Sequence, residues 1–266
     1  MSLRPHIQIS NVSKVFSTGE RDVVALDNIN LDVQPGEFIC LLGPSGCGKS
    51  TLLNAIAGFS SPTAGAITVE GKPVLKPGPD RGMVFQEYAL FPWMTVEKNI
   101  AFGLEIKKLP KAQIKEKVDA LLKMLNLQDF RERYPKDLSG GMRQRVAIAR
   151  VLALDSPIML MDEPFGALDS LTRRNLQDEL LRIWLEFKKT IIFVTHSIEE
   201  SIYLADRIVV MTYRPGKIKK EVNVTMSRQR DPSSVEFNEL KKELSLLVME
   251  EQTRHHEDQI KVSTAD

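Results

Sequence analysis

Apolar and polar residues alternate along the first part of the chain, which is the pattern of strands with one buried face. The alternation covers residues 7–15 and 29–33. Residues 38–42 differ, because they form an uninterrupted apolar run that is typical of a strand covered on both faces. A glycine-rich segment follows, and residues 51–57 then have a helical pattern. This part of the chain therefore predicts a buried strand that leads through a loop into a helix.

The middle of the chain changes to a helical pattern between about residues 91 and 135, after a predicted strand pair at 66–74. Short apolar runs return at 158–161 and 191–194, and the helical stretch 171–187 separates them. Alternation of strand, helix and strand predicts an α/β core with right-handed crossovers.

The last part of the chain predicts a hairpin and a helix. Residues 207–224 alternate around a turn at Arg214-Pro215-Gly216-Lys217. Ser233 and Glu236 then have the spacing of a capping box before an amphipathic face. About the last fifteen residues are polar, and we expect them to be disordered.

Composition narrows the class of protein. The 266 residues include 36 Lys and Arg against 35 Asp and Glu, so a net charge of +1 provides no global attraction to nucleic acid or anionic lipid. Two cysteines, Cys40 and Cys47, argue against a disulfide scaffold and for a reducing compartment. We expect no secretory signal, because no apolar segment follows the first basic residue. The most apolar long stretch, 146–161, is interrupted by Arg150 and Asp155 and is shorter than a membrane helix. We expect the protein to act from the cytosol without crossing a bilayer.

The loop after the buried strand carries the first chemical motif. The phosphate-loop pattern is matched at every fixed position by Gly43-Pro44-Ser45-Gly46-Cys47-Gly48-Lys49-Ser50. Glycines let successive N–H groups point at phosphate oxygens, and the following helix N-terminus adds partial positive charge. Lys49 would bridge the β- and γ-phosphates, and Ser50 would ligate Mg²⁺. A glycine-rich turn matched by accident is the alternative, but the flanking strand and helix favour a nucleoside triphosphate site.

Two carboxylates end the apolar run at 158–161. Asp162 would hold Mg²⁺, usually through water, and Glu163 would polarise the water that attacks the γ-phosphate. The alternative is an ordinary acidic pair at the end of a strand, before Pro164. The phosphate loop upstream favours the catalytic interpretation.

Two further features involve phosphate. Ser139 is a predicted N-cap, and the N–H groups of Gly140 and Gly141 would make a second anion site. One chain needs one phosphate loop, so this second site suggests binding to a neighbour's nucleotide; a well-capped helix is the simpler interpretation. His196 follows the strand at 191–195 and could reach the γ-phosphate, although a histidine there can be incidental.

These motifs together resemble the ATP-binding subunit of an ABC transporter. The similarity covers about residues 7–222 and includes Gln86, the signature at 138–142, the acidic strand at 158–163 and the Ala-Leu-Asp segment at 167–169. It implies an α/β fold, with a P-loop RecA-like core, an antiparallel β-subdomain and a helical subdomain inserted at about 91–140. The ABC ATPase domain would occupy 1–222. Residues 223–266 would form a C-terminal helical extension with a disordered polar end.

The resemblance also implies roles for individual residues. ATP and Mg²⁺ would lie in a head-to-tail dimer, between the phosphate loop of one chain, extended to Thr51, and the signature of the other. Gln86 would join Mg²⁺ and the attacking water to the helical subdomain, and Asp169 would lie in a loop exchanged across the dimer. Phe16 is the candidate for stacking on adenine. The alternative for Phe16 is a core aromatic of the first hairpin.

Residues 163–169 are similar to those of bacterial importers. Residues 78–86, 91–96 and 213–218 resemble more closely the nitrate, sulfonate and taurine uptake group. The implied function is ATP hydrolysis that powers import of a small anion such as nitrate, sulfonate, taurine or bicarbonate. The implied partners are membrane permease subunits, a second identical or paralogous ATPase, and a solute-binding protein reached through the permease, with no nucleic acid. The protein would be peripheral, on the cytoplasmic side of the inner membrane. The alternative functions are that of the ATPase subunit of an exporter and that of a soluble ABC ATPase with no role in transport.

Overall fold

The structure is a computed structural model, and it describes residues 5–17, 19 and 22–263. The chain divides into two compact units. The first unit comprises Met1–Gly78 and Thr190–Asp266, and the second unit comprises Pro79–Lys189. In chain order the elements are β1 (Ile7–Ser17), β2 (Asp22–Val33), β3 (Phe38–Leu42), α1 (Lys49–Ala57), β4 (Ala64–Val69), β5 (Lys72–Pro73), β6 (Arg81–Val84), α2 (Val96–Ile106), α3 (Lys111–Met124), α4 (Gly140–Ala153), β7 (Ile158–Asp162), α5 (Ser170–Phe187), β8 (Thr190–Thr195), α6 (Ile198–Leu204), β9 (Arg207–Met211), β10 (Ile218–Asn223) and α7 (Val235–Ser263).

The first unit contains an antiparallel sheet and a mostly parallel set of strands. The antiparallel sheet has the order β2-β1-β4-β5, so the predicted strands at 7–15 and 29–33 belong to one long pair. In the second set, β3 lies parallel to both β8 and β9, and β10 pairs with β9 as an antiparallel hairpin. Every residue of β3 and β8 is buried, as their uninterrupted apolar runs predict.

A buried cation fixes α6 in the first unit. The Nη1 atom of Arg230 donates hydrogen bonds to the carbonyl oxygens of Ile202 (2.5 Å) and Ala205 (2.6 Å), at the C-terminal end of α6. Burial lowers the pKa of Arg230 to about 10, and the charge of Arg228 adds to this effect. A cation at this end satisfies carbonyl groups that have no partner within the helix. Arg230 thereby holds the helix that begins two residues after His196.

The second unit combines a parallel strand pair with four α-helices in its described residues. β6 lies parallel to β7, and α4 packs against α2, α3 and β6. The fully buried side chain of Asn99 accepts a hydrogen bond from Phe91 N (2.9 Å) and donates to Met94 O (3.0 Å). These bonds fasten the segment 91–95 to α2.

The α/β class predicted from the sequence is confirmed, and the structure adds elements that the sequence pattern did not predict, β6 and α6. It also corrects the cap of α7. The Ser233 hydroxyl bonds to Asp231, whereas Ser234 Oγ accepts from Phe237 N (3.3 Å) and caps the helix. α7 extends to Ser263, so helical backbone covers most of the polar end for which we expected disorder. No helix within residues 5–17, 19 and 22–263 is long and apolar enough for a membrane span.

Candidate nucleotide site

The phosphate loop lies in the first unit, between β3 and α1, and its glycines are required by its geometry. Gly46 and Gly48 have φ values of 78° and 95°, in the left-handed region. A Cβ atom on Gly48 would lie 2.8 Å from Ala25 O. Only glycine therefore allows this conformation so close to β2. Gly48 O then accepts from Leu52 N (2.9 Å), which starts the hydrogen bonding of α1.

Lys49 is buried, with 4% of its surface exposed, and its ammonium group is held by the loop itself. Its Nζ atom donates to Gly43 O (2.8 Å) and Pro44 O (2.9 Å). A buried ammonium group is costly without oxygen partners, and the loop carbonyls supply them. The loop therefore holds an ammonium group in a position where it can donate a hydrogen bond to a phosphate oxygen.

Cys47 contributes packing and backbone to the loop. Burial raises the pKa of its thiol, so the side chain is neutral at physiological pH. Its Sγ atom would lie 2.8 Å from a Cβ on Gly43, and its carbonyl oxygen 2.3 Å from a Cβ on Gly216. Both distances are too short for a side chain, so the Cys47 region is closely packed on two sides.

Phe16 lies near the end of β1 with 44% of its surface exposed, so it is not the core aromatic that we considered as an alternative. The Lys14 ammonium lies 5.1 Å from the centroid of its ring. An exposed aromatic face is available to a purine base, with which it can stack.

We predict that Phe16→Ala weakens the binding of ATP and ADP equally, by about 5- to 150-fold, since stacking contributes about 1–3 kcal/mol per base. Phe16→Trp keeps an aromatic face and should preserve both affinities. Titration with fluorescent nucleotides measures this, with Phe59→Ala as the control because Phe59 is also an exposed aromatic of the first unit. Unchanged affinity in Phe16→Ala would show that the ring does not contact the base.

His196 is exposed and leaves the sheet at the same edge as the phosphate loop. Leu42 pairs with Thr195 across the parallel strands β3 and β8, so Gly43 and His196 follow registered residues. The Thr195 hydroxyl bonds to the buried carboxyl of Glu200 (2.5 Å) and accepts from Ser197 N (3.0 Å). This network fixes the backbone around His196. Its position supports the predicted approach to a phosphate.

The acidic pair lies in the second unit at the end of β7. Asp162 is the last residue of that strand, and both carboxylates are partly exposed. Glu163 has a φ of 43°, a left-handed conformation that costs a residue with a side chain about 1 kcal/mol or more. Glu163 O accepts from Gly166 N (3.1 Å) in the turn that follows. A strained residue at a strand end is a common feature of functional sites.

Gln86 leaves the second unit's strand pair at the same edge as these carboxylates. Val84 pairs with Met161 across the parallel strands β6 and β7, and Gln86 is exposed just beyond this pair. Its amide oxygen is a suitable ligand for a hard cation. The register brings Gln86 and Asp162 to one edge.

The signature residues and Asp169 begin two neighbouring helices of the second unit. Ser139 Oγ accepts from Met142 N (3.3 Å) and caps α4, which confirms the predicted N-cap. Asp169 Oδ1 accepts from Thr172 N (3.0 Å) and caps α5, and this bond lowers the pKa of Asp169. A Cβ on Gly141 would lie 2.7 Å from the Thr172 side chain. The glycine therefore allows the close approach of α4 and α5.

Arg150 is a residue of this region that sequence reasoning did not identify. Its guanidinium donates to Ala89 O (2.6 Å) and Tyr88 O (3.1 Å), where both Tyr88 and Ala89 have positive φ values. Burial lowers the pKa of Arg150. Arg150 therefore braces the segment that follows Gln86. Its only signal in the sequence is a charge within an apolar helix.

The candidate residues are divided between the two units. The first unit holds the phosphate loop with Ser50 and Thr51, Phe16 and His196. The second unit holds Gln86, the signature residues, Asp162, Glu163 and Asp169. Within the described residues, no three His, Cys, Asp or Glu side chains cluster as a metal site. A Mg²⁺ bound mainly by phosphate and water needs no such cluster.

Comparison with known proteins identifies the family of the chain. The ABC transporter family model matches residues 26–166. The chain is 51% identical to an ABC transporter ATP-binding protein of Methanocaldococcus jannaschii, over 94% of this chain and 93% of that protein. It is 48% identical to the aliphatic sulfonates import ATP-binding protein SsuB of Bacillus cereus, over 90% of this chain and 94% of that protein.

Solved structures show the same fold. One is a dimeric ATP-binding cassette bound to ADP and phosphate, with a TM-score of 0.74 and 34% identity over 83% of this chain and 100% of that chain. Another is cbiO1 of Clostridium perfringens, part of an ABC transporter complex, with a TM-score of 0.74 and 29% identity over 83% of this chain and 89% of that chain. These structures confirm the predicted ABC ATPase fold. The chain belongs to the ABC transporter family, among its ATP-binding proteins.

Proposed function

We propose that this chain is the ATPase subunit of an importer for a small anion, of the class that includes sulfonates, taurine, nitrate and bicarbonate. Membership of the family implies ATP binding and hydrolysis. The observation that carries this conclusion is the phosphate loop, in which buried Lys49 is hydrogen-bonded to the loop carbonyl groups. The importer assignment is supported by 48% identity to a sulfonate import protein. An exporter ATPase and a soluble ABC ATPase remain the alternatives.

In the first unit, the loop N–H groups and the N-terminus of α1 bind the phosphates. Lys49 neutralises charge between the β- and γ-phosphates, Phe16 stacks on the base, and His196 contacts the γ-phosphate. The remaining nucleotide contacts in the loop come from Gly43, Pro44, Ser45, Gly46, Cys47, Gly48, Ser50 and Thr51.

In the second unit, Glu163 accepts a proton from the attacking water, and Gln86 orients that water. Ser50 of the first unit, with its hydroxyl oxygen, and Asp162 and Gln86 of the second unit, with a carboxylate and an amide oxygen, are our candidate ligands for Mg²⁺, because Mg²⁺ prefers hard oxygen atoms. When bound, the ion supplies charge neutralisation at the phosphates. The roles of Asp162, Glu163 and Gln86 rest on the resemblance and on their placement at one strand edge.

We propose a head-to-tail dimer with an identical or paralogous ATPase. Ser139, Gly140 and Gly141 place backbone N–H groups at the start of α4, where an anion is favoured. These groups contact the nucleotide of the partner chain, and Asp169 lies in the loop exchanged with that chain. A similar cassette that is dimeric and bound to ADP and phosphate supports the dimeric state in this proposal.

Family members of this kind work with membrane permease components, and Trp93 is our candidate for contact with a permease helix. Trp93 is 70% exposed, so it does not fill the core of the second unit. Its ring lies 5.8 Å from that of Phe91, and the Phe91 ring lies 4.4 Å from that of Phe102 at a tilt of 50°. An aromatic surface of this type suits an amphipathic helix. The protein would then be peripheral, on the cytoplasmic side of the inner membrane, with a solute-binding protein across the permease.

Reconstitution in liposomes with a permease and a solute-binding protein of the sulfonate uptake class tests the function. We expect ATP hydrolysis to increase when a sulfonate or related anion is supplied with its binding protein. Trp93→Ala should lose this stimulation while it keeps its own melting temperature. Phe187→Ala, another exposed aromatic of the second unit, is the control. Stimulation by efflux substrates instead would favour an exporter, and no permease dependence at all would contradict a role in transport.

A further inference from the structure

The turn between β9 and β10, residues 213–216, packs directly on the phosphate loop within the first unit. Gly216 N donates to Ala25 O (3.0 Å), and Gly216 O accepts from Asp27 N (3.0 Å), so the turn is pinned to β2. A Cβ on Gly216 would lie 2.3 Å from Cys47 O. The turn and the loop therefore meet with no room for a side chain at this glycine.

Arg214 contacts the same loop at Gly46. Its Nε atom donates to Gly46 O (3.4 Å), and its guanidinium also lies 3.6 Å from the position of a Cβ on Gly46. A loop that turns successive N–H groups toward an anion turns its carbonyl groups away from that anion. The hydrogen bond from Arg214 to the Gly46 carbonyl group therefore favours the loop conformation in which the N–H groups point toward the anion.

Helix α7 holds the turn from the other side through a buried carboxylate. Glu251 has 0% of its surface exposed; Tyr213 N donates to it at 2.9 Å, and Lys219 Nζ lies 2.6 Å from it. Burial alone would raise the pKa of Glu251, but the bonds from Lys219 and Tyr213 lower it, so the group is ionised at neutral pH. The ring of Tyr213 also lies 4.4 Å from that of His255.

We infer that Arg214 and Glu251 are positioning residues of the nucleotide site: α7 fixes the turn 213–216, and the turn holds the phosphate loop in its anion-binding conformation. The C-terminal helix thereby sets nucleotide affinity, although it lies outside the residues 26–166 that match the family model. The inference rests on the proposed binding of nucleotide by this loop. It assigns a role to the Arg214-Pro215-Gly216 motif and to α7.

The test compares the full-length protein with Arg214→Ala and Glu251→Gln. We expect Kd for both ATP and ADP, by calorimetry, to rise about three- to tenfold, as for loss of one hydrogen bond of ordinary net strength. Amide exchange in residues 43–50 should become faster, and KM should rise while kcat is kept. The controls are Lys220→Ala and Glu243→Gln, because this ion pair (2.7 Å) joins the same hairpin to α7 at its exposed side.

Arg214→Lys separates the hydrogen bond from the charge, since lysine has a methylene group in place of Nε. It should weaken binding as Arg214→Ala does, and full affinity in this variant would overturn the role of the bond to Gly46 O. Affinity and exchange equal to the controls in Arg214→Ala would overturn the inference as a whole, even if Glu251→Gln were unstable, because Arg214 is exposed. If the wild type bound no nucleotide, the proposed function would fail, and exchange in residues 43–50 would still decide whether the turn braces the loop.

Discussion

Replacing Glu163 with glutamine is expected to stop ATP hydrolysis and leave ATP bound. Glutamine keeps the size and hydrogen bonding of glutamate but cannot accept a proton. Hydrolysis should fall by at least the roughly 10²–10⁴-fold that a positioned acid or base contributes. Lys49, Ser50 and Asp162 are unchanged, so binding of the nucleotide should survive. The variant should accumulate as an ATP-bound dimer, because the dimer reopens after hydrolysis.

Phosphate release, together with size-exclusion chromatography in ATP and Mg²⁺, measures both effects. The control is Glu186→Gln, which changes an exposed glutamate of α5 in the same unit. Glutamine can adopt the strained backbone conformation of Glu163 (φ 43°) as readily as glutamate can. The melting temperature of the Glu163→Gln variant should therefore equal that of the wild type. A monomer that hydrolyses ATP normally would contradict the proposed role.

Lys49→Ala is expected to weaken ATP binding and abolish hydrolysis. The lost ammonium group is buried and hydrogen-bonded to Gly43 O and Pro44 O, so the substitution removes a positive charge from within the loop. Removing one group that stabilises a transition state typically lowers kcat by about 10²–10³-fold. Because Lys49 would bridge the β- and γ-phosphates, the affinity for ATP should fall more than that for ADP. Phe16→Ala, in contrast, should weaken both equally.

The experiment needs nucleotide titrations and a phosphate-release assay on the same preparation. Lys72→Ala is the control, since Lys72 is an exposed lysine of the first unit, on β5. Circular dichroism should show an unchanged fold for both variants. Equal loss of ATP and ADP affinity in Lys49→Ala would place the ammonium away from the γ-phosphate. Full hydrolysis in that variant would mean that this loop does not bind the reacting phosphates.

The central strands and the phosphate loop could be predicted because their signals are local. β3, β7 and β8 each contain an uninterrupted apolar run of four or five residues, and a buried strand of a parallel sheet has that pattern. The loop motif needs particular residues at particular positions, so Gly46, Gly48 and Lys49 stand out in the sequence alone.

Strand β6 and helix α6 could not be predicted from the hydrophobic pattern of the sequence, and each has a structural reason. β6 has four residues, and among them is Gly82, where a Cβ would lie 2.2 Å from the Val151 side chain. α6 has seven residues, and its buried face includes Glu200 and Ser201, which hides its amphipathic pattern. The buried carboxyl group of Glu200 accepts a hydrogen bond from Thr195, which compensates for its burial. The hydrophobic periodicity of the sequence does not identify such a partner.

The contacts around the candidate site were the hardest to predict, because they join distant parts of the chain. Tyr213 bonds to Glu251, and Arg214 reaches Gly46 across 168 positions. The cap of α7 was assigned one residue early for a related reason. Ser233 bonds to Asp231, which leaves Ser234 as the cap. Hydrophobic patterns describe which face of an element is buried, and they do not identify the polar partner that it meets.

The most direct measurement is a single-turnover assay in which purified wild type and Glu163→Gln are mixed with labelled ATP and Mg²⁺. The bound nucleotide is identified after rapid removal of free nucleotide. We predict that wild type converts its bound ATP to ADP and phosphate, whereas Glu163→Gln retains ATP in stoichiometric amounts. Conversion of ATP by Glu163→Gln at the wild-type rate would show that Glu163 is not the base and would contradict the mechanism proposed for this ATPase.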